Sequence, residues 1–247
     1  MQQPPLTHGA RSTYPAELLE VLRIIVVAGV PLGIIVAGLG SRLAMYVLRV
    51  TSPDAVVGTV SDDGFVIGQV TAGGTYQLVS LGAALGLIGA AAYVAVAPWL
   101  IGDAWLRRLV VGVTAGAVVG ALVIHPQGVD FTLLEPTWLA VTLFVTLPFA
   151  MGVLLTVTVD AAADPDSWTA QGRRRWILPV LLLVGFPLAL LVGIAVGAVV
   201  AILLPLRRAL LEPLRRSRPG TLGMRMLFAA VPVVAMGALA SDLSELF

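Results

Sequence analysis

Arg42 is the charged side chain set deepest in an apolar stretch of this chain, in Gly38-Leu39-Gly40-Ser41-Arg42-Leu43. A charge at membrane depth is the first pointer to function, because it must be paired, hydrated or carried to the interface. Arg42 is near enough to the end of its run to snorkel. Its nearest acidic company is Asp62, Asp63, Asp130 and Glu135, in the connections that follow. One reading is a snorkelling or ion-paired arginine. The other is an arginine that binds an anion or a substrate.

His125, Asp130 and Glu135 are the second constellation, set around Pro126-Gln127-Gly128. One imidazole and two carboxylates form a minimal zinc or proton-relay set. Their spacing matches neither H-x-x-E-H nor H-E-x-x-H. The plainer reading is a turn histidine with solvated acids. Other chemistries are closed by composition. The chain has no Cys, which removes disulfides, thiolate metal sites and iron–sulfur ligation. It has no Lys, which removes P-loop chemistry, Schiff bases and a Ser–Lys dyad. His8 and His125 are the only histidines, which leaves bis-histidine haem without support. No G-x-S-x-G occurs, and Gly102-Asp103 lacks the preceding glycine of an intramembrane aspartyl protease. The expectation is no metal, no cofactor and no catalytic residue.

The elements that must position these residues are long and apolar. The chain is 58% hydrophobic and 12% charged, with mean hydropathy +0.98, where a soluble domain carries about 25% charged residues. Six apolar runs stand out: Ile24–Leu48, Tyr76–Ile101, Leu109–Ile124, Trp138–Val159, Trp176–Leu206 and Leu222–Ala240. A crossing helix needs about 20 apolar residues. Leu109–Ile124 is short, and the last run carries Arg225 near its start. In lipid only helices or closed barrels satisfy the backbone, and the runs lack barrel alternation. The fold expected is an all-α membrane protein, a bundle of about six transmembrane helices in a single domain over 1–247. Pro15 suits a helix start. The first run is too long for a cleavable signal and reads as a signal anchor, behind a flexible, cytoplasmic N-terminus over 1–15.

The connections carry sided charge. Arg11, Arg23, Arg107, Arg108 and Arg173–Arg175 fall on one predicted side, and Asp54, Asp62, Asp63, Asp130 and Glu135 on the other. The positive-inside rule then puts the N-terminus in the cytoplasm. The segment over 207–221 breaks the pattern, since six crossings place its arginines outside. There Leu206, Leu210 and Leu214 form a stripe opposite Arg208, Glu212 and Arg215, as in an interfacial helix, although Pro213 interrupts it. A solvated basic linker is the alternative. Over 50–75, β-branched stretches flank Asp63-Gly64, which predicts a short extracytoplasmic β-hairpin.

Small residues recur at every fourth position: Gly82, Gly86 and Ala90; Gly112, Gly116 and Gly120; Gly185, Ala189, Gly193, Gly197 and Ala201. That spacing lets helix backbones approach, either inside the bundle or at a seam with a partner or a second copy. Pro31, Pro148, Pro187 and Pro232 interrupt runs, as transporter hinges or as ordinary membrane-helix prolines.

Ser41-Arg42-Leu43-Ala44-Met45, Asp62-Asp63-Gly64-Phe65 and Gly128-Val129-Asp130-Phe131-Thr132-Leu133-Leu134-Glu135-Pro136 resemble a group of uncharacterised actinobacterial polytopic membrane proteins. The resemblance implies a bacterial plasma-membrane location and a six-helix layout, and brings no activity with it. The leading functional expectation is an accessory or scaffold subunit in the lipid bilayer, packed against a membrane-protein partner or as a homo-oligomer. The alternative is a small-solute or lipid transporter using Arg42 and the proline kinks. Net charge is +1, which gives no case for nucleic acid.

Overall fold

The computed structural model describes residues 14–62, 64–100, 102–207, 209, 213 and 217–247. The expected contact of Asp63 and most of the stripe built on Leu210, Leu214, Arg208, Glu212 and Arg215 lie outside them. Six helices are long and apolar enough to cross a membrane. The chain is a multi-pass α-helical membrane protein.

The first span runs unbroken from Tyr14 to Thr51. It comprises α1 (Tyr14–Leu32), a π-helical stretch (Gly33–Leu39) and α2 (Gly40–Thr51). The π stretch follows Pro31, which cannot donate to the preceding turn, and the Gly40 N–H reaches back to the Ile35 carbonyl. Next come α3 (Ala72–Val96), α4 (Ala104–Val123), the short α5 (Val129–Thr132) and α6 (Thr137–Ala163). The chain ends with α7 (Arg174–Val184), α8 (Pro187–Leu206) and α9 (Arg218–Leu246). Caps set several starts. Thr71 Oγ1 accepts from the Gly74 N–H, and Asp103 Oδ1 from the Leu106 N–H at 2.9 Å. The Asp103 cap carries α4 back through Arg107 and Arg108, so this helix reaches 20 residues although its apolar run is shorter. Asp103 is therefore a helix cap.

Two expectations are corrected. The hairpin over 50–75 is not formed: the described residues contain no strand, and the loop holds a single antiparallel bridge between Val60 and Val66. Gly58, Gly64 and Gly68 all sit at positive φ, and these turns end the extended backbone on both sides of the bridge. The run Trp176–Leu206 is two helices. Gly185 and Phe186 break it, and Pro187 starts α8 where its missing N–H costs nothing. Pro31, Pro148 and Pro232 stay inside continuous helices.

The closest helix approach is between the first span and α3. A Cβ on Gly33 would strike the Gly82 carbonyl, and one on Gly86 the Gly29 carbonyl. Only hydrogen at Cα lets these backbones meet. The α4 stripe also faces inward. A Cβ on Gly112 would lie 2.6 Å from Val153 Cγ2, one on Gly116 3.2 Å from the Val145 carbonyl, and one on Gly120 3.3 Å from Leu239.

α7 and α8 double back. Arg175 at the start of α7 bonds Glu20 near the start of α1. Phe186, between the two helices, stacks on Tyr76 at the start of α3 with centroids 6.2 Å apart. Ala201, near the end of α8, accepts the Tyr14 hydroxyl at 2.6 Å. The α7–α8 pair thus begins and ends at the Tyr14 end of the bundle. α9 starts beside Trp99 at that end and finishes against Ile124, at the other.

Candidate functional site

At the end opposite Tyr14, the acidic connections clasp each other. Asp62 Oδ2 accepts the Asp130 backbone N–H at 3.1 Å, across the head of α5. Ser52 Oγ donates to the Glu135 carbonyl at 3.2 Å and accepts the Glu135 N–H at 2.9 Å. Phe131 and Leu134 anchor the clasp in a cluster with Leu48, Val56 and Ile124. Asp130 is buried, contrary to the solvated acid expected of it. His125 is exposed, and its carbonyl closes the turn by accepting from Gly128 at 2.9 Å. No group of three or more His, Cys, Asp or Glu able to hold a metal ion occurs among the described residues. The structure thus brings Asp62, Asp130 and Glu135 to one clasp and leaves the His125 side chain out of it. Arg42 Nη2 donates to the Gln69 carbonyl at 3.3 Å, and no described carboxylate is ion-paired to it.

The Tyr14 end holds a tighter polar network, centred on residues that motif spacing did not single out. Arg23 is 2% exposed. Its Nη2 reaches Glu20 Oε1 at 2.6 Å and the Ala162 carbonyl at 2.7 Å, and its Nη1 reaches Thr169 Oγ1 at 3.2 Å. Arg175 Nη2 adds a second cation to Glu20 at 2.8 Å. The network ties α1 to the end of α6 and the start of α7. Its one visible sequence signal was an acid three residues ahead of a base, just before the first apolar run. Tyr93 donates to Asp160 at 3.2 Å, joining α3 to α6 at the same end.

Between these ends lies a partly enclosed apolar cavity of about 1080 Å³. α3 forms one wall and α4 with α9 the other, while α6 and the π–α2 region close the back. Leu85 and Ile88 of α3 and Val110 of α4 line it while remaining exposed, so it opens sideways between the walls. Its hydroxyls are engaged within the protein: Ser41 with the Ala37 carbonyl, Thr114 with the Val110 carbonyl and Tyr93 with Asp160. Arg225 of α9 also lines it, and its Nε is buried without a partner. Arg42 is not part of the lining among the described residues.

The glycines of α8 lie away from the cavity lining. A Cβ on Gly193 would lie 3.0 Å from Leu183 Cδ2 of α7, and one on Gly197 3.8 Å from Leu22 Cδ1 of α1. With Gly112, Gly116 and Gly120, they face this chain's own helices.

Fold and site together define a multi-pass helical membrane protein with a lateral apolar cavity between its spans. Comparison with family models, with characterised proteins and with solved structures finds no match to this chain.

Proposed function

We propose that this protein binds a membrane amphiphile in the cavity between α3, α4 and α9, and handles lipid within a bacterial plasma membrane. The observation that carries this reading is the cavity's size and chemistry. Ligand sites commonly occupy about 300–1,000 Å³, and this one reaches about 1080 Å³ with an almost wholly apolar wall. In a membrane such a space, open sideways, faces acyl chains. Filling it with chain restores the dispersion contacts an empty apolar void would lose. The π stretch contains Ala37 of the lining and runs into α2 just before Ser41, which gives this wall irregular backbone of the kind found at functional sites.

Orientation belongs to the same reading. The Tyr14 end carries Arg23, Arg107, Arg108, Arg173–Arg175, Arg207 and Arg218, whereas Asp54, Asp62, Asp130 and Glu135 stand at the other end. The positive-inside rule assigns the Tyr14 end to the cytoplasm. The doubling back of α7 and α8 brings Arg207 and Arg218 to the arginine-rich end, which removes the conflict posed by a simple six-crossing count.

The accessory-subunit reading keeps one supporting observation, the wide exposed apolar face of α9, with Leu222, Leu227, Val233 and Val234 uncovered. The glycine stripes that motivated it pack inside the chain, which favours the lipid-binding reading.

The test is native mass spectrometry of protein released from mild detergent. Lipid adducts should remain on the wild type and be lost from the double variant Ala92→Phe with Ala229→Phe, which fills the cavity from α3 and α9. Equal adducts on both proteins would sink the proposal.

A further inference from the structure

We infer that the ligand of this cavity is an anionic phospholipid, with a chain between α3, α4 and α9 and its phosphate held by Arg225. The inference rests on the lipid-binding reading of the cavity and names the headgroup that reading leaves open. Three observations converge on Arg225. It lines the apolar cavity, yet among the described residues it has neither an ion pair nor a hydrogen-bond acceptor, and its Nε is shielded from solvent. Arg225 is half-buried with its Nε shielded, as are the Nε atoms of Arg42, Arg107, Arg108 and Arg175, but Arg225 alone of these lines the apolar cavity, where an unpaired cation calls for an acceptor. Among the described residues no acid is ion-paired to it: Glu20 serves Arg23 and Arg175, Asp54 serves Arg49, and Asp160 accepts from Tyr93.

Position selects the headgroup level. Arg225 shares the cavity with Leu106, the residue before Arg107 and Arg108 at the start of α4, and with Trp99, beside which α9 begins. That is the arginine-rich end of the bundle. An amphiphile lying along the cavity with its head at Arg225 keeps its charge near the interface and its chain beside Leu85, Val110 and Met151.

Chemistry selects phosphate. A guanidinium presents a planar fork that two phosphate oxygens can accept side by side. A phospholipid whose phosphate is not balanced by an amine of its own offers the full negative charge. Phosphatidylglycerol is therefore the probe, and phosphatidylcholine its neutral counterpart.

Trp99, buried at this end of the cavity, reports occupancy. In a variant keeping only that tryptophan, with Trp105, Trp138, Trp168 and Trp176 replaced by Phe, lipids with brominated acyl chains quench its fluorescence on contact. The expected result is half-quenching at about tenfold lower mole fraction of brominated phosphatidylglycerol than of phosphatidylcholine. Arg225→Gln should abolish the difference, and Arg225→Lys, which keeps the charge without the fork, should keep only part of it. Should Arg225→Gln not fold, the same preference in the unsubstituted site must shrink as salt rises. Equal quenching by both lipids, or a preference that survives Arg225→Gln or high salt, overturns the headgroup assignment while the lipid-binding reading stands. A brominated fatty acid that displaces phosphatidylglycerol at equal concentration overturns the choice of phospholipid. Quenching by no lipid, with Ala92→Phe and Ala229→Phe without effect, overturns the lipid-binding reading itself.

Discussion

The Tyr14 hydroxyl donates to the backbone carbonyl of Ala201 at 2.6 Å, joining the first turn of α1 to the last turns of α8. A helix that began at the Tyr14 end and crossed once would have put Ala201 at the far end of the bundle. α7 rises instead, breaks at Gly185 and Phe186, and α8 returns. The basic segment that follows therefore shares an end with Arg23 and Arg173–Arg175.

Sidedness follows from that return. The native chain has no Cys, so single cysteines report it without background. Cysteines at Arg207 and at Arg173 should label only after the cells are opened. Cysteines at Asp54 and at Ser244 should label in intact cells, since α9 ends opposite the Tyr14 end. Labelling of Arg207→Cys in intact cells together with Asp54→Cys would show α8 crossing outward.

The seam between the first span and α3 should be far less tolerant than the α8 stripe. Gly86→Ala drives a methyl into the Gly29 carbonyl and should cost about 1–3 kcal/mol by overpacking. Gly197→Ala meets only the Leu22 side chain, at 3.8 Å from Cδ1 and 3.9 Å from Cδ2, and should gain up to about 1 kcal/mol from restricting the unfolded chain. Thermal unfolding in detergent should move in opposite directions for the two. Equal effects would mean that the backbones of the first span and α3 do not meet at Gly29 and Gly86.

Glu20 should matter through what it neutralises. Arg23 is 2% exposed, so Glu20→Ala leaves its guanidinium without a counter-charge. Removing one partner of a fully buried pair costs about 3–5 kcal/mol. The Glu20 side chain is 33% exposed, and water there lowers the expected loss to about 1–3 kcal/mol. Glu20→Gln with Arg23→Met should be more stable than Glu20→Ala alone. A double-mutant cycle of melting temperatures with no coupling would show that the pair acts independently.

The clasp at the acidic end should hold its loops. Ser52→Ala removes a hydroxyl that both donates to and accepts from Glu135, at a site where Ser52 is buried. The expected loss is about 1–3 kcal/mol. Limited proteolysis should cut faster over residues 125–136 than in the wild type. Asp62→Asn should do less, because an amide oxygen can still accept the Asp130 N–H.

The sequence alone determined that the chain is helical, where its apolar runs lie and that its arginines and acids segregate. Lipid leaves no partner for an open backbone, and a crossing requires a minimum apolar length, so both facts are local to each segment. The caps at Asp103 and Thr71 are local too, although they emerged only with the structure. The polar residues of the acidic end were visible as types, but not that Asp62 would accept from Asp130 while His125 stood aside. Only the tertiary structure decided the return of α8, the meeting of Gly33 with Gly82, the burial of Arg23 and the approach of Arg225 to an apolar cavity. In water, the contrast between a buried and a solvated face would have announced such pairings. In a bilayer both faces of a helix are apolar, so periodicity carries no record of which face meets a neighbour, and close packing alone makes the choice.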